Sequence, residues 1–299
     1  MSVWRLSWLV PVAGCHLVSG LADFTAGEGG AGGSAATGGG GGAAQTGGGA
    51  ATGGGGVGGG GGVQAVLTDE GLIARWFLDD PDDGGGTATD QSGNMFNLDF
   101  EPQGNAMTFS FPATGRGIEW MAVGDGGRLS LVSGTVLLPT LNNRTTLMIE
   151  MVMGPLAGDS AASRLFYVGE TNADGHIAIT ANTNFMDLRL NTMAVGQWPL
   201  EPLNGRAVHH LCVDLGAPVP DAIRAYIDGV PRTDEMPPPP SLPSAITLTV
   251  NSSDVLVGNG NNDNLSPQGR IGYVALYDAC LPETVIAGHA QRLLASDDP

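Results

Sequence analysis

The residues able to do chemistry are few in this chain, and their spacing limits what each could do. Histidine occurs 5 times and cysteine 3 times among 299 residues. His209 and His210 are adjacent within Val208–Asp214, a run that reads as a strand. Neighbours on a strand point to opposite faces. The two imidazoles therefore cannot ligate one metal ion from this strand; one is expected in a core and the other at the surface. Glycoside hydrolysis needs two carboxylates flanking the scissile bond. Glu150 stands alone on its strand, and Glu170 is followed by a loop. Gly-x-Ser-x-Gly, His-Glu-x-x-His and a phosphate loop are all missing from the sequence. The expectation is a protein that is not an enzyme. The alternative is a polysaccharide-acting hydrolase or lyase with a non-obvious site.

Cys212 and Cys280 fall near the ends of two apolar runs. They are the candidate disulfide pair of the folded part if the domain is exported to an oxidising compartment. Two buried thiols are the other reading. Among the aromatic residues, Trp120, Tyr167, Phe185, Trp198 and Tyr273 could form a carbohydrate platform, though most are expected in a core. Trp198 sits in Gly196-Gln197-Trp198-Pro199, read as a loop, and is the candidate ligand contact.

The elements that must position these residues read as strands. The runs are Leu72–Leu78, Met107–Phe111, Arg128–Leu131, Thr145–Met153, Arg164–Val168, His176–Thr180, Phe185–Leu190, Val208–Asp214, Ala222–Ile227, Ala245–Val250, Val255–Val257 and Arg270–Tyr277. They are short, rich in β-branched and aromatic residues, and divided by Gly, Asn, Asp and Pro. Asp228-Gly229 is a two-residue hairpin turn, and Pro237–Pro240 excludes a central strand. Only Pro282 to Leu294 has a helical pattern, with Val285, Ile286, His289 and Leu293 on one face. A dozen strands and one terminal helix predict an all-β, two-sheet antiparallel sandwich with a short C-terminal helix.

The N-terminus is of another kind. Arg5 precedes the apolar run Leu6 to Ala13, in the layout of a secretory signal. Val12-Ala13-Gly14-Cys15 resembles the lipobox of bacterial lipoproteins, which implies cleavage before Cys15 and acylation of that residue, with ordinary secretion as the alternative. Glycine supplies 22 of the 36 residues from Gly27 to Gly62. A chain so poor in side chains cannot repay its backbone entropy by burial. Residues 1–14 thus read as a signal, 15–63 as a disordered glycine-rich tether, and 64–299 as the folded domain. The tether's expected root-mean-square span is roughly 35 Å. The formal net charge is −18, and all 12 basic residues are arginine. Such a chain would repel nucleic acid and anionic membrane surfaces.

From Gly71 to Leu294 the chain resembles the laminin-G-like, concanavalin A-like jelly-roll family. The resemblance rests on Leu72–Asp79 followed by Asp90-Gln91-Ser92-Gly93, on Thr145–Glu150, on His209-His210-Leu211, on Ala225-Tyr226-Ile227-Asp228-Gly229, and on Gly269–Leu281. The tryptophan that usually precedes the double histidine is replaced by Ala207-Val208. The Glu-x-Asp-x-x-Glu strand of the family's hydrolases is missing. In this fold the first and last strands pair antiparallel, which would bring Asp79, Asp80, Asp82 and Asp83 near the loop 259–264 with Asp263. Such oxygen ligands suit a structural Ca²⁺, the one cofactor considered; a solvated acidic loop is the alternative. The family implies a surface-exposed binding module for a glycan or a surface protein. A lipid anchor on Cys15 would tie it to the outer membrane or cell surface of a Gram-negative-type bacterium. A passive envelope spacer is the remaining reading.

Overall fold

In a computed structural model, residues 66–78, 86–101, 107–110, 117–124, 126–133, 135, 137–157, 163–169, 176–200, 205–233, 239, 241–248, 255–260 and 265–295 are described. All lie in the second of two compact units, Gly60–Pro299. Cys15, the signal, the glycine tether, Asp79, Asp80, Asp82, Asp83, Asp263 and Glu170 lie outside the described residues.

The described residues form two antiparallel sheets of eight strands each. The first sheet runs, in space, β14 (Val230–Arg232), β13 (Ile223–Ile227), β12 (Ala207–Asp214), β7 (Thr146–Ala157), β16 (Gln268–Tyr277), β5 (Gly117–Trp120) and β4 (Met107–Ser110). β1 (Leu72–Phe77) joins it against β16, with Leu72 opposite Tyr277 and Phe77 opposite Tyr273. The second runs β11 (Met193–Pro199), β10 (Phe185–Leu190), β9 (Ile177–Ala181), β8 (Ser163–Val168), β15 (Val255–Val257), β6 (Arg128–Leu131), β3 (Leu98–Glu101) and β2 (Thr87–Ala88). Short helices α1 (Leu138–Leu141) and α2 (Val219–Ala222) lie in connections, and α3 (Glu283–Ala295) closes the domain.

Period-two alternation sorts the first sheet into two rows. Leu147, Ile149 and Met151 of β7, Leu211 and Val213 of β12, and Val274 and Leu276 of β16 enter the core between the sheets. Met148 and Val152 of β7, Val208 of β12, and Tyr273 and Tyr277 of β16 take the opposite face and form a second apolar cluster with Ile286 and Leu293 of α3. Both faces of these central strands are therefore covered, as their near-continuous apolar composition requires. The Asp228-Gly229 turn has φ of 53° and 78°. It passes so close to α3 that a Cβ on Gly229 would stand 2.8 Å from the Ala287 Cα.

Two expectations fail. Ala245–Val250 is not a strand over its described part. Ile246 exchanges backbone bonds with Asn143 and Arg144, while Thr247 and Leu248 donate to the Asn191 and Asn142 side chains. The segment is thus held by loop contacts instead of a ladder. Gly196–Pro199 is not a loop but the end of β11, with Trp198 opposite Met186.

Candidate functional site

Among the described residues, a buried cluster of titratable groups lies between the outer face of the first sheet and α3. Glu150 of β7 stands directly opposite His210 of β12 and Ala275 of β16. His289 comes from the buried face of α3. Glu150, His210 and His289 are all fully buried. Glu150 Oε1 lies 2.8 Å from His210 Nε2 and 3.1 Å from His289 Nδ1. Its Oε2 accepts from the hydroxyls of Tyr273 at 3.0 Å and Tyr277 at 3.2 Å. Arg75 Nη2 donates to the Tyr277 hydroxyl at 3.2 Å, and its Nη1 pairs with Asp69.

This network fixes the protons. The Thr68 amide donates to His289 Nε2 at 2.9 Å, so that nitrogen offers a lone pair. The neutral ring must then carry its proton on Nδ1 and donate to Glu150. His210 Nε2 is likewise the donor to Glu150, and His210 Nδ1 has no partner among the described residues. Burial alone would push the Glu150 carboxyl up, but the hydrogen bonds from His210 and His289 hold it well below the usual carboxylate range. Burial first, and then the Glu150 charge, push the Tyr273 and Tyr277 hydroxyls up, so both remain donors.

By residue type, Glu150, His210 and His289 could hold a metal ion, since one ligand atom from each lies within 4.8 Å of the others. Their chemistry does not suit that role. A metal-bound imidazole must present a bare nitrogen, usually with its other N–H donated outward. Here the nitrogen of His289 facing Glu150 carries the proton. The cluster reads as a hydrogen-bonded polar knot that fastens α3 and β1 to the sheet. It also corrects the expectation for the double histidine. His209 pairs with Met151 on the core-facing row, but His210 is not at the surface, because α3 covers it.

The remaining sequence candidates are placed as follows. Cys212 and Cys280 are joined in a disulfide with a Cα–Cα separation of 5.3 Å. Trp198 is fully buried in the inter-sheet core and is no ligand contact. The reading of Gly196 and Pro199 as a loop hid this. Trp120, Tyr167 and Tyr273 are also buried.

Sequence reasoning missed a surface cavity of about 680 Å³ at the edge of the first sheet. It forms where the three-residue β14 stops short and leaves the start of β13 beside α2. Pro220 of α2, Arg224 and Tyr226 of β13, Pro231 and Arg232 of β14, and Glu283 at the start of α3 line it. The Tyr226 hydroxyl donates to Glu283 Oε1 at 3.3 Å. Burial, with the Glu283 charge opposing that of Arg224, leaves this hydroxyl pushed up and protonated. Arg224 is exposed, and its Nη2 lies 3.2 Å from Cys212 Sγ. The only clue in the sequence was the Tyr-Ile-Asp-Gly hairpin, which marks the cavity wall without showing that a cavity exists.

No family model and no curated protein matches the sequence. Solved structures do. The binding domain of botulinum neurotoxin DC in complex with SialylT matches 75% of this chain and 52% of its own, at 11% identity and TM-score 0.53. The binding domain of the same toxin with rat synaptotagmin II matches to the same extent at 13% identity. Domain 4 of AbnA, an extracellular arabinanase from Geobacillus stearothermophilus, in complex with arabinotriose, matches over 74% of this chain and 98% of its own, at 16% identity and TM-score 0.50. The chain thus spans about half the length of the toxin domains it matches. At these identities the likeness shows the fold, a β-sandwich, and the fold alone.

Proposed function

We propose that the domain is a non-catalytic binding module for saccharide, exported and held at the cell surface by a lipid on Cys15 and a glycine tether. The cavity beside β13 carries this reading. It lies within the size range of about 300–1,000 Å³ typical of small-molecule sites. Its wall combines a tyrosine hydroxyl, two guanidinium groups, a carboxylate and proline faces, which suits a ligand with many hydroxyls and apolar ring faces. The structural neighbours add support by analogy, since one is described with arabinotriose and another with SialylT. The non-catalytic part is supported by Glu150, whose carboxylate is sealed from solvent and already accepts four hydrogen bonds. A hydrolase needs its carboxylates at the scissile bond.

A glycan array probed with the full chain tests the proposal, alongside Thr233→Trp, which places a bulky side chain on the cavity wall. Saccharide capture by the parent, lost in the variant, is expected. Capture that survives Thr233→Trp would remove the cavity from the reading. Capture of proteins with no glycan signal would remove saccharide. Reducing-sugar release by the parent that disappears in Glu150→Ala would overturn the non-catalytic assignment.

A further inference from the structure

The two sulfurs of the bridge between Cys212 and Cys280 have unlike surroundings. Cys212 is fully buried on β12, in the apolar cluster beneath α3. Cys280 is half-buried in the turn between β16 and α3. Arg224 stands directly opposite Cys212 in β13, which puts both side chains on one face of the sheet. Arg224 Nη2 donates to Cys212 Sγ at 3.2 Å. Among the described residues this guanidinium meets that sulfur and the Tyr226 hydroxyl, and no carboxylate. Asp214, the next residue of β12 on that face, accepts from the Gly216 amide through its Oδ1 at 3.1 Å. Cys280 Sγ instead lies 3.4 Å from the Val213 carbonyl oxygen.

We propose that this bridge is a site of reversible thiol exchange, at which a small thiolate attacks Cys280 Sγ and Cys212 Sγ leaves. The proposal goes beyond the saccharide reading and does not depend on it. Exchange needs a sulfur that the incoming thiolate can reach and a second sulfur that carries negative charge well as it departs. The half-buried Cys280 meets the first need. Cys212 meets the second, because a guanidinium beside a sulfur favours its thiolate. The Val213 carbonyl oxygen points the same way, since it repels negative charge at Cys280 and accepts from an S–H there. In the first step the attacking thiolate forms a bond to Cys280 Sγ, the bond between Cys280 and Cys212 breaks, and its electron pair stays on Cys212 Sγ beside Arg224. In the second step another thiolate attacks the small-molecule sulfur of that adduct. The small disulfide departs, and Cys280 takes a proton from water and donates it to the Val213 carbonyl. Two small thiols are thereby oxidised and the protein disulfide is reduced. The exchange unfastens the turn after β16 from β12, while His289 and Glu150 still hold α3 to the sheet.

The test is exchange of the folded full chain with 2-mercaptoethanol at neutral pH, stopped in acid at successive times. Peptide mass mapping then shows which cysteine carries the adduct. The first adduct is expected on Cys280, with Cys212 free. Arg224→Met keeps the bulk beside the sulfur and removes the charge. It should slow the exchange at least about threefold, the order expected when the leaving thiolate is destabilised by about tenfold. Arg224→Lys retains a cation and should stay close to the parent rate. In denaturing urea, parent and Arg224→Met should react equally fast, and both cysteines should be labelled. A first adduct on Cys212 overturns the proposal. So does exchange in Arg224→Met as fast as in the parent, or a rate difference that persists in urea. A bridge that reacts only after the domain has unfolded overturns it as well.

Discussion

At the scale of single residues, Glu150 shows how a lone carboxylate can be essential without doing chemistry. It accepts from two imidazoles and two phenols, each on a different neighbour or at a different height of the sheet. Removing one member of a buried hydrogen-bonded charge network costs about 3–5 kcal/mol, because its partners stay buried and unsatisfied. Glu150→Gln should lose stability of that order at neutral pH. The pH dependence follows from the direction of the shift. The folded-state carboxyl titrates well below its ordinary range, so the unfolded chain takes up the proton first as pH falls. The contribution is therefore complete above the ordinary glutamate value of about 4.3 and declines as the pH drops further. Urea unfolding of parent and variant at neutral pH and at successively lower values should show their stability difference narrowing below that point. A difference that stays constant into strong acid would mean that Glu150 is not held as a carboxylate. Little of this was legible in the sequence. Glu150 and His289 are 139 positions apart, and only the docking of α3 makes them neighbours.

At the scale of elements, alternation made the strands visible and turn chemistry decided where it misled. β6, β10 and β15 follow their apolar runs to the residue. β11 was hidden because Gly196 and Pro199 look like punctuation. The true turn before it, Asn191-Thr192, has φ of 48° and 69° without a glycine, a conformation few residues adopt unaided. Asp90-Gln91-Ser92-Gly93 was legible as a turn, but its reach was not. The Asp90 carboxylate accepts from the backbone of Arg75, Ser92 and Phe96 and from the Ser92 hydroxyl, and so ties the turn to β1. The disulfide binds elements in a similar way. It links β12 to the turn between β16 and α3 across a sequence separation of 68 residues. Closing a loop of that length in the unfolded chain is worth roughly 4 kcal/mol in the chain-entropy model. Reduction, or the Cys212→Ser/Cys280→Ser pair, should lower the denaturation midpoint accordingly. An unchanged midpoint under reducing conditions would show that the bridge contributes nothing.

At the scale of the whole molecule, charge is the property that the fold does not explain. Of all the charged side chains, only Arg5, Asp23 and Glu28 precede or fall within the glycine-rich part. The acidic excess therefore belongs to the sandwich. Several acids are neutralised where they stand: Glu101 by Arg128, Glu119 by Arg270 and Asp278 by Arg144. There are too few arginines for the rest. Exposed pairs contribute little each, whereas the surplus acts on the whole compact state as self-repulsion. Salt should distinguish the two. Raising the ionic strength from about 0.01 M to about 0.15 M shortens the screening length from about 30 Å to about 8 Å. That weakens repulsion across the domain more than attraction within a contact pair. The melting temperature of the full chain should therefore rise over this range at neutral pH and level off beyond it. A steady fall with salt would show that the exposed ion pairs outweigh the surplus, and the acidic surface would then need to be described as a set of local pairs.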